Sequence, residues 1–168
     1  MLTFQVSNIC DRGYIGPEPT LQIFGPLLKT KAQNPSATLL MLFLNAAEED
    51  SSVVDFRAAI SGASDIGKYL PVNREMLQDR NRTKADFLKL FGALRLFRDF
   101  DKLFDAFMKD YRFEEIGKVG GVKMKLRHTI VEPWPLRLKP NATKEEFDMV
   151  LASGYTGSER YVEWESIA

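Results

Sequence analysis

Ala37-Thr-Leu-Leu-Met-Leu-Phe-Leu44 contains the longest apolar run of the chain, Leu39 to Leu44, and it follows Asn34-Pro35. Asparagine is a strong helix cap, and proline is favoured at the first helical position because its missing N–H has no intrahelical partner there. The stretch therefore predicts a helix opening at Pro35 and ending in Glu48-Glu49-Asp50. Apolar all round, such a helix belongs at the centre of a core. The run is far shorter than the roughly 20 residues that a membrane span needs.

Downstream, Ser51 or Ser52 caps a second helix through Val53, Val54, Phe56, Ala59 and Ile60, stopped by Gly62. Thr83, with Asp86 three residues on, opens the longest helix. Phe87, Leu90, Phe91, Leu94, Phe97, Phe104, Phe107, Met108 and Tyr111 recur at helical spacing, and Gly120-Gly121 closes the helical region. At 1.5 Å per residue this helix would span roughly 40 Å. Its phenylalanine stripe reads as core packing rather than as a binding groove.

Upstream, residues 1–34 read as an irregular segment. Leu2, Phe4 and Val6 alternate like a short strand, and Gly13, Gly16, Pro17, Pro19, Gly25 and Pro26 then punctuate the chain. Gly13-Tyr-Ile-Gly16 is a turn, not a phosphate loop, since no lysine-serine pair follows it. From Val122 the period becomes two. Val122, Met124, Leu126, His128 and Ile130 face one way and Lys123, Lys125, Arg127 and Thr129 the other, a strand with one basic face. Pro133-Trp-Pro135 then turns the chain into a second extended stretch, Trp134 to Lys139, which completes a hairpin or paired wrap. Thr143-Lys-Glu-Glu146 is a capping box, opening a short helix with Phe147, Val150 and Leu151 on its apolar face and Gly154 at its end. The expected architecture is mainly α, a single domain over 1–168. Its parts are an irregular 1–34, a helical core over 35–118, and a β element, short helix and tail over 122–168.

Composition bounds the function. The chain has 168 residues, 45% apolar and 27% charged, the profile of a folded globular protein. Its 23 basic and 23 acidic side chains cancel, which disfavours nucleic acid or an anionic membrane as partner. Cys10 is the only cysteine, so neither an internal disulfide nor a thiolate zinc cluster can form; it reads as a semi-buried small hydrophobe. Met1 to Cys10 lacks the basic start and sustained apolar run of a signal peptide, and the expected compartment is intracellular, cytoplasmic or nuclear. No metal or cofactor set is visible. His128, the only histidine, has Glu132 as its nearest carboxylate but reads as a packed structural residue. Ser153 and Ser158 sit at helix ends, where capping explains them. Asp99, Asp101 and Asp105 read as a solvated face paired with Arg98, Lys102 and Lys109.

Two groups of side chains are left over. The basic row Lys123, Lys125 and Arg127 is a candidate anion contact, although it lacks the interleaved aromatics of a single-strand binder. Glu159, Arg160, Tyr161 and Trp164, with Glu163, combine large amphipathic rings with directed charges. They serve either as a staple that returns the tail to the core or as a hot spot for a partner chain.

The segments A-T-L-L-M-L-F-L-N-A-A-E-E-D (37–50), F-R-D-F-D-K-L-F-D-A-F-M (97–108), H-T-I-V-E-P-W-P-L-R-L (128–138) and G-S-E-R-Y-V-E-W (157–164) resemble uncharacterised fungal proteins of the MYND-type zinc-finger group. Their upstream domain is similar to that of a dynein axonemal assembly factor. The resemblance implies no activity for particular residues. The zinc finger itself cannot be built from one cysteine and one histidine, and the chain reads as a fragment or a shortened paralogue. The expected function is a non-enzymatic protein-interaction or scaffold domain without a cofactor, working through Glu159, Arg160, Tyr161, Trp164 and the basic row on another protein. The alternatives are a degenerate S-adenosylmethionine-binding, methyltransferase-like domain, or weak nucleic-acid binding through Lys123, Lys125 and Arg127.

Overall fold

Thr38–Phe43 is a β-strand, not a helix. The computed structural model describes residues 3–46, 67–70, 92–93, 96–97, 100–153 and 158–168. Over these, β1 (Thr3–Val6), β2 (Thr38–Phe43), β3 (Val122–Met124) and β4 (Arg160–Ser166) form one sheet in the order β1-β2-β4-β3. β1 and β2 are parallel, and β4 runs antiparallel to both β2 and β3. Among the described residues the helices with both ends placed are α1 (Pro17–Phe24), α2 (Phe100–Asp110), α3 (Phe113–Val119) and α4 (Lys144–Ala152). The fold is an α/β mix, which corrects the mainly α expectation.

The correction has a local cause. Asn34 does not cap a helix: its side-chain oxygen accepts the Ser36 N–H at 3.1 Å, and its carbonyl accepts the Ala37 N–H at 3.0 Å. That turn feeds the chain directly into β2. An unbroken apolar run of strand length fits an internal strand covered on both faces as well as it fits a central helix. Leu39, Met41 and Phe43 are fully buried, and Thr38 and Leu40 on the opposite face are buried too.

The charged-aromatic tail is the other correction. Arg160–Ser166 lies inside the sheet, with Leu39 opposite Trp164, Met41 opposite Val162 and Phe43 opposite Arg160. Val162 and Trp164 join Val6, Leu39, Met41 and Phe43 in the main core, together with Leu21, Phe104, Phe107, Phe113 and Ile116 from α1, α2 and α3. Phe43 meets Phe104 and Phe107 edge-on with centroids 5.4 and 5.6 Å apart, and Phe113 lies 5.8 Å from Trp164. Such contacts add about 0.5–1.5 kcal/mol each beyond burial.

Within the expected long helix, Phe100, Phe104 and Phe107 are buried on one face of α2, as their spacing requires. The helix stops at Arg112, which takes the left-handed conformation (φ 49°) and redirects the chain into α3. Residues 83–91 and the proposed second helix lie outside the described residues. Residues 1–34 are more regular than expected, holding β1, two 3-10 turns and α1. β3 ends at Met124, and no strand forms over 134–139, so the expected hairpin is absent.

By its internal contacts the chain divides into two compact units. The first comprises 1–49, 100–135 and 158–168 and contains the sheet; the second comprises 50–99 and 136–157. In the second unit α4 opens with the expected capping box, Thr143 accepting the Glu146 N–H and Glu146 accepting the Thr143 N–H. Phe147 is fully buried and stacks on Tyr69 at 4.7 Å, whose hydroxyl donates to the Ala142 carbonyl at 2.9 Å. Among the described residues no helix is long and apolar enough to cross a membrane.

Two glycines let α3 seat closely. A Cβ at Gly25 would collide with the Gly120 carbonyl, and one at Gly117 would lie 2.7 Å from the Trp164 ring and 2.9 Å from the Val122 carbonyl. Backbone atoms cannot yield as a flexible side chain can, so Gly25→Ala should cost about 1–3 kcal/mol. Gly16 has open space around it but sits at φ 83°, ψ 171°, a region essentially reserved for glycine, so Gly16→Ala should also cost about 1–3 kcal/mol, through backbone strain and not collision. Urea denaturation of the two variants checks both costs; equal stability of Gly25→Ala and the native protein would refute the close seating.

Candidate functional site

β3 pairs with β4 only over Trp164 to Ser166, so one edge of Arg160 to Glu163 has no strand beside it. Irregular chain fills the gap. The Lys125 N–H donates to the Glu163 carbonyl at 2.8 Å, and the Pro133 carbonyl accepts the Tyr161 N–H at 2.9 Å. The Glu163 N–H donates to Nε2 of His128 at 3.4 Å, while Nδ1 of His128 meets the Val131 carbonyl at 2.9 Å. Both contacts are satisfied only by a neutral ring with its proton on Nδ1. His128 therefore stands in for a missing backbone acceptor, and its partner is Glu163 rather than Glu132.

The side chain of Glu163 organises the same segment from the sheet face opposite Trp164. It is fully buried. Oε1 accepts the N–H groups of Ile130 and Val131 at 2.7 and 3.1 Å. Oε2 accepts the Thr129 N–H and hydroxyl, each at 2.9 Å, and the Lys125 ammonium at 3.0 Å. Desolvation alone would raise this carboxyl. The amides of Thr129, Ile130 and Val131 together with Lys125 outweigh it, holding the group near 2 against an ordinary 4.5.

Lys125 belongs to this structure and not to a basic surface. Its ammonium also donates to the hydroxyls of Thr38 at 2.6 Å and Thr129 at 2.7 Å, which with Glu163 uses all three of its protons. Lys123 is exposed and lies 3.5 Å from Glu165, which also binds Lys31 at 3.0 Å. Burial pushes the Glu165 carboxyl up, but the two lysines hold it below the usual carboxylate range. Arg127 is exposed. The expected row of three cations thus divides into one half-buried and fully bonded, one shared and one open.

The aromatic cluster is similarly built in. Trp164 is fully buried, Glu159 and Arg160 are buried and Tyr161 is half-buried. The Arg160 guanidinium lies 4.2 Å from the Trp134 ring centre and 5.5 Å from that of Phe104, and it forms an ion pair with Asp101. Asp101 stays partly exposed, as expected of a solvated face, and reaches Arg160 from there; Asp99 lies outside the described residues. Ser158 donates to the Leu44 carbonyl at 3.3 Å.

What stays open is the loop itself. Leu126 is fully exposed between the half-buried Lys125 and the exposed Arg127, and Ile130 is 38% exposed. With Pro35, Ser36, Lys123, Met124 and Glu165 these residues line a cleft of about 630 Å³. The mouth of the parallel β1–α1–β2 unit, where open α/β sheets bind cofactors, is occupied differently. There the buried Asp11 carboxylate accepts the N–H groups of Leu44 and Asn45 at 2.8 and 3.2 Å. The neighbouring Cys10 thiol is fully buried and donates to the Leu42 carbonyl, and burial followed by the Asp11 charge pushes it far above its ordinary range. It is no nucleophile. Among the described residues no three histidine, cysteine or carboxylate side chains are placed to hold a metal ion.

No family profile, no curated protein and no solved structure matches the chain.

Sequence reasoning named Glu163 only as one of the directed charges of the tail, without its partners at 125–131, and did not find Asp11, because the groups that a buried carboxylate binds lie far away in sequence. A signal existed for Glu163: Tyr161-Val-Glu-Trp164 is rich in strand formers and alternates. Because the folded carboxyl lies below its unfolded value, its stabilisation is complete above about pH 4.5 and is lost as pH falls towards 2. Glu163→Gln should cost about 3 kcal/mol at neutral pH by leaving Lys125 buried without its counter-charge. It should also flatten the acid limb of stability against pH between about 4.5 and 2. Chemical denaturation across that range checks both; an unchanged acid limb would refute the role given to Glu163.

Proposed function

We propose that the protein is a non-enzymatic interaction module, intracellular in its setting, that binds another protein through the 123–130 loop. One observation carries this reading: Leu126 stands fully exposed on a loop whose backbone is pinned from beneath by a buried carboxylate. A loop already ordered pays less entropy on binding, and an exposed aliphatic group beside a cation supplies an anchor and a steering charge. Of the residues first considered, Lys123 and Arg127 remain in the proposed surface. Glu159, Arg160, Trp164 and Lys125 support it from within, and Tyr161 lies at its base. Nucleic-acid binding is left with little, since the free charge of the basic row reduces to Arg127 and a shared Lys123.

A second reading, a degenerate S-adenosylmethionine-binding domain, draws on the parallel β1–α1–β2 unit. Against it stands Asp11, whose side chain is committed to Leu44 and Asn45. Saturable heat on titrating S-adenosylmethionine into the folded protein would favour this reading over the first.

A photo-crosslinking residue at position 126 should capture a discrete protein saturably from cell extract, and Arg127→Glu should abolish the capture without shifting the thermal midpoint. The same probe at Met149, an exposed site on α4, should not capture it. Indiscriminate or identical labelling from both positions would contradict the proposal.

A further inference from the structure

The cleft beside the 123–130 loop carries the chemistry that specifies its guest. Alternation along β4 puts Glu163 and Glu165 on the sheet face opposite Trp164, and Lys123 of β3 lies beside Glu165 on that face. Lys123 and Glu165 both line the cleft of about 630 Å³. Leu126 and Ile130 line it from the loop and Pro35 from the turn ahead of β2. All three of these apolar residues are exposed.

Charge around the cleft is unbalanced. Four cations, Lys31, Lys123, Lys125 and Arg127, stand against two carboxylates, Glu163 and Glu165. Glu163 neutralises Lys125 within the fold, and Lys31 and Lys123 divide the single carboxylate of Glu165. Arg127 is exposed and has no ion-pair partner among the described residues. Two positive charges are therefore left over here, on a chain whose formal charge is zero. Glu132, the nearest other carboxylate in sequence, does not line the cleft. The exposed N–H groups of Leu126 and Arg127 also have no partner among the described residues. Carboxylates complement such a set, and aliphatic groups complement Leu126 and Ile130. Nucleic acid fits less well, since no aromatic ring lines the cleft on which a base could stack.

We propose that the partner of this loop presents a short acidic peptide segment with an aliphatic side chain. The aliphatic group packs on Leu126 and Ile130 while the segment's carboxylates engage Arg127 and Lys123. Glu165 is the internal competitor for Lys123 and so limits the affinity. This identification rests on the interaction reading of the 123–130 loop.

Peptide display against the full chain tests it without presupposing a sequence. Selection should enrich peptides that carry several carboxylates around an aliphatic residue. A selected peptide, followed by fluorescence anisotropy, should bind saturably and more weakly as salt is raised. Leu126→Ser, Lys123→Glu and Arg127→Glu should each weaken it about fivefold or more. All three positions are exposed, so an unshifted thermal midpoint separates lost binding from lost folding. Glu165→Gln should tighten binding about twofold to fivefold, because it releases Lys31 and Lys123. No enrichment, or peptides that none of the three loop variants weakens, would overturn this proposal and the loop reading together. Neutral or basic peptides that are still lost in Leu126→Ser would overturn the acidic guest alone. Single-stranded oligodeoxythymidylate that displaces the peptide and binds more tightly would assign the cleft to nucleic acid instead. Glu165→Gln without a gain in affinity would overturn the competition given to Glu165.

Discussion

The buried carboxylate of Glu163 is the constraint on which one face of the sheet depends. A charged group removed from water costs several kcal/mol unless its oxygens are fully engaged. Here five donors engage them: three backbone amides, one hydroxyl and one ammonium. Hydrogen bonds to a charged acceptor are roughly twice as strong as neutral ones. The result is a segment without secondary structure of its own, residues 125–131, in which the Lys125, Thr129, Ile130 and Val131 N–H groups are nonetheless paired. His128 and Pro133 complete the pairing by serving the β4 edge that β3 does not reach.

The opposite face obeys a different rule. There the sheet is covered by α1, α2 and α3 through aliphatic and aromatic side chains, and closeness is set by Gly25, Gly117 and Gly120. Both rules meet in β4, whose alternation sends Val162 and Trp164 to the helices and Glu163 to the loop. This strand reaches its neighbour β2 only after more than a hundred intervening residues. Such non-local pairing slows folding because loop closure must precede the contacts that reward it. It also explains why a tail dense in charge is buried: β2 flanks it on one side, and β3 with the irregular chain at Lys125 and Pro133 covers the other.

The legible parts of the fold were those specified by nearest neighbours. The Thr143–Glu146 box, the Phe100-Phe104-Phe107 face and the stop at Gly120 depend on local geometry, and the sequence pattern located them. Thr38–Phe43 was misread because an apolar run without periodicity fits a buried strand as well as a buried helix, and the arbiter is a partner strand far away in sequence. The β3 alternation was legible for Val122 to Met124 and false beyond it. There the Glu163 carboxylate and the His128 ring, both tertiary contacts, outcompete continuation of the ladder. At the candidate site, Arg127 and Lys123 could be named from charge alone, whereas the division of labour among Lys123, Lys125 and Arg127 depends on Glu163 and Glu165, whose partners lie about forty residues away in sequence.

The loop that presents Leu126 is ordered by one side chain and not by a strand pairing of its own. Residue-resolved hydrogen exchange of the Thr129, Ile130 and Val131 amides tests that most directly. The account predicts protection approaching that of the β4 amides near neutral pH, lost selectively in Glu163→Gln while the β2 and β4 amides stay protected. Exchange of those three amides at unprotected rates in the native protein, or protection that survives the substitution, would contradict it.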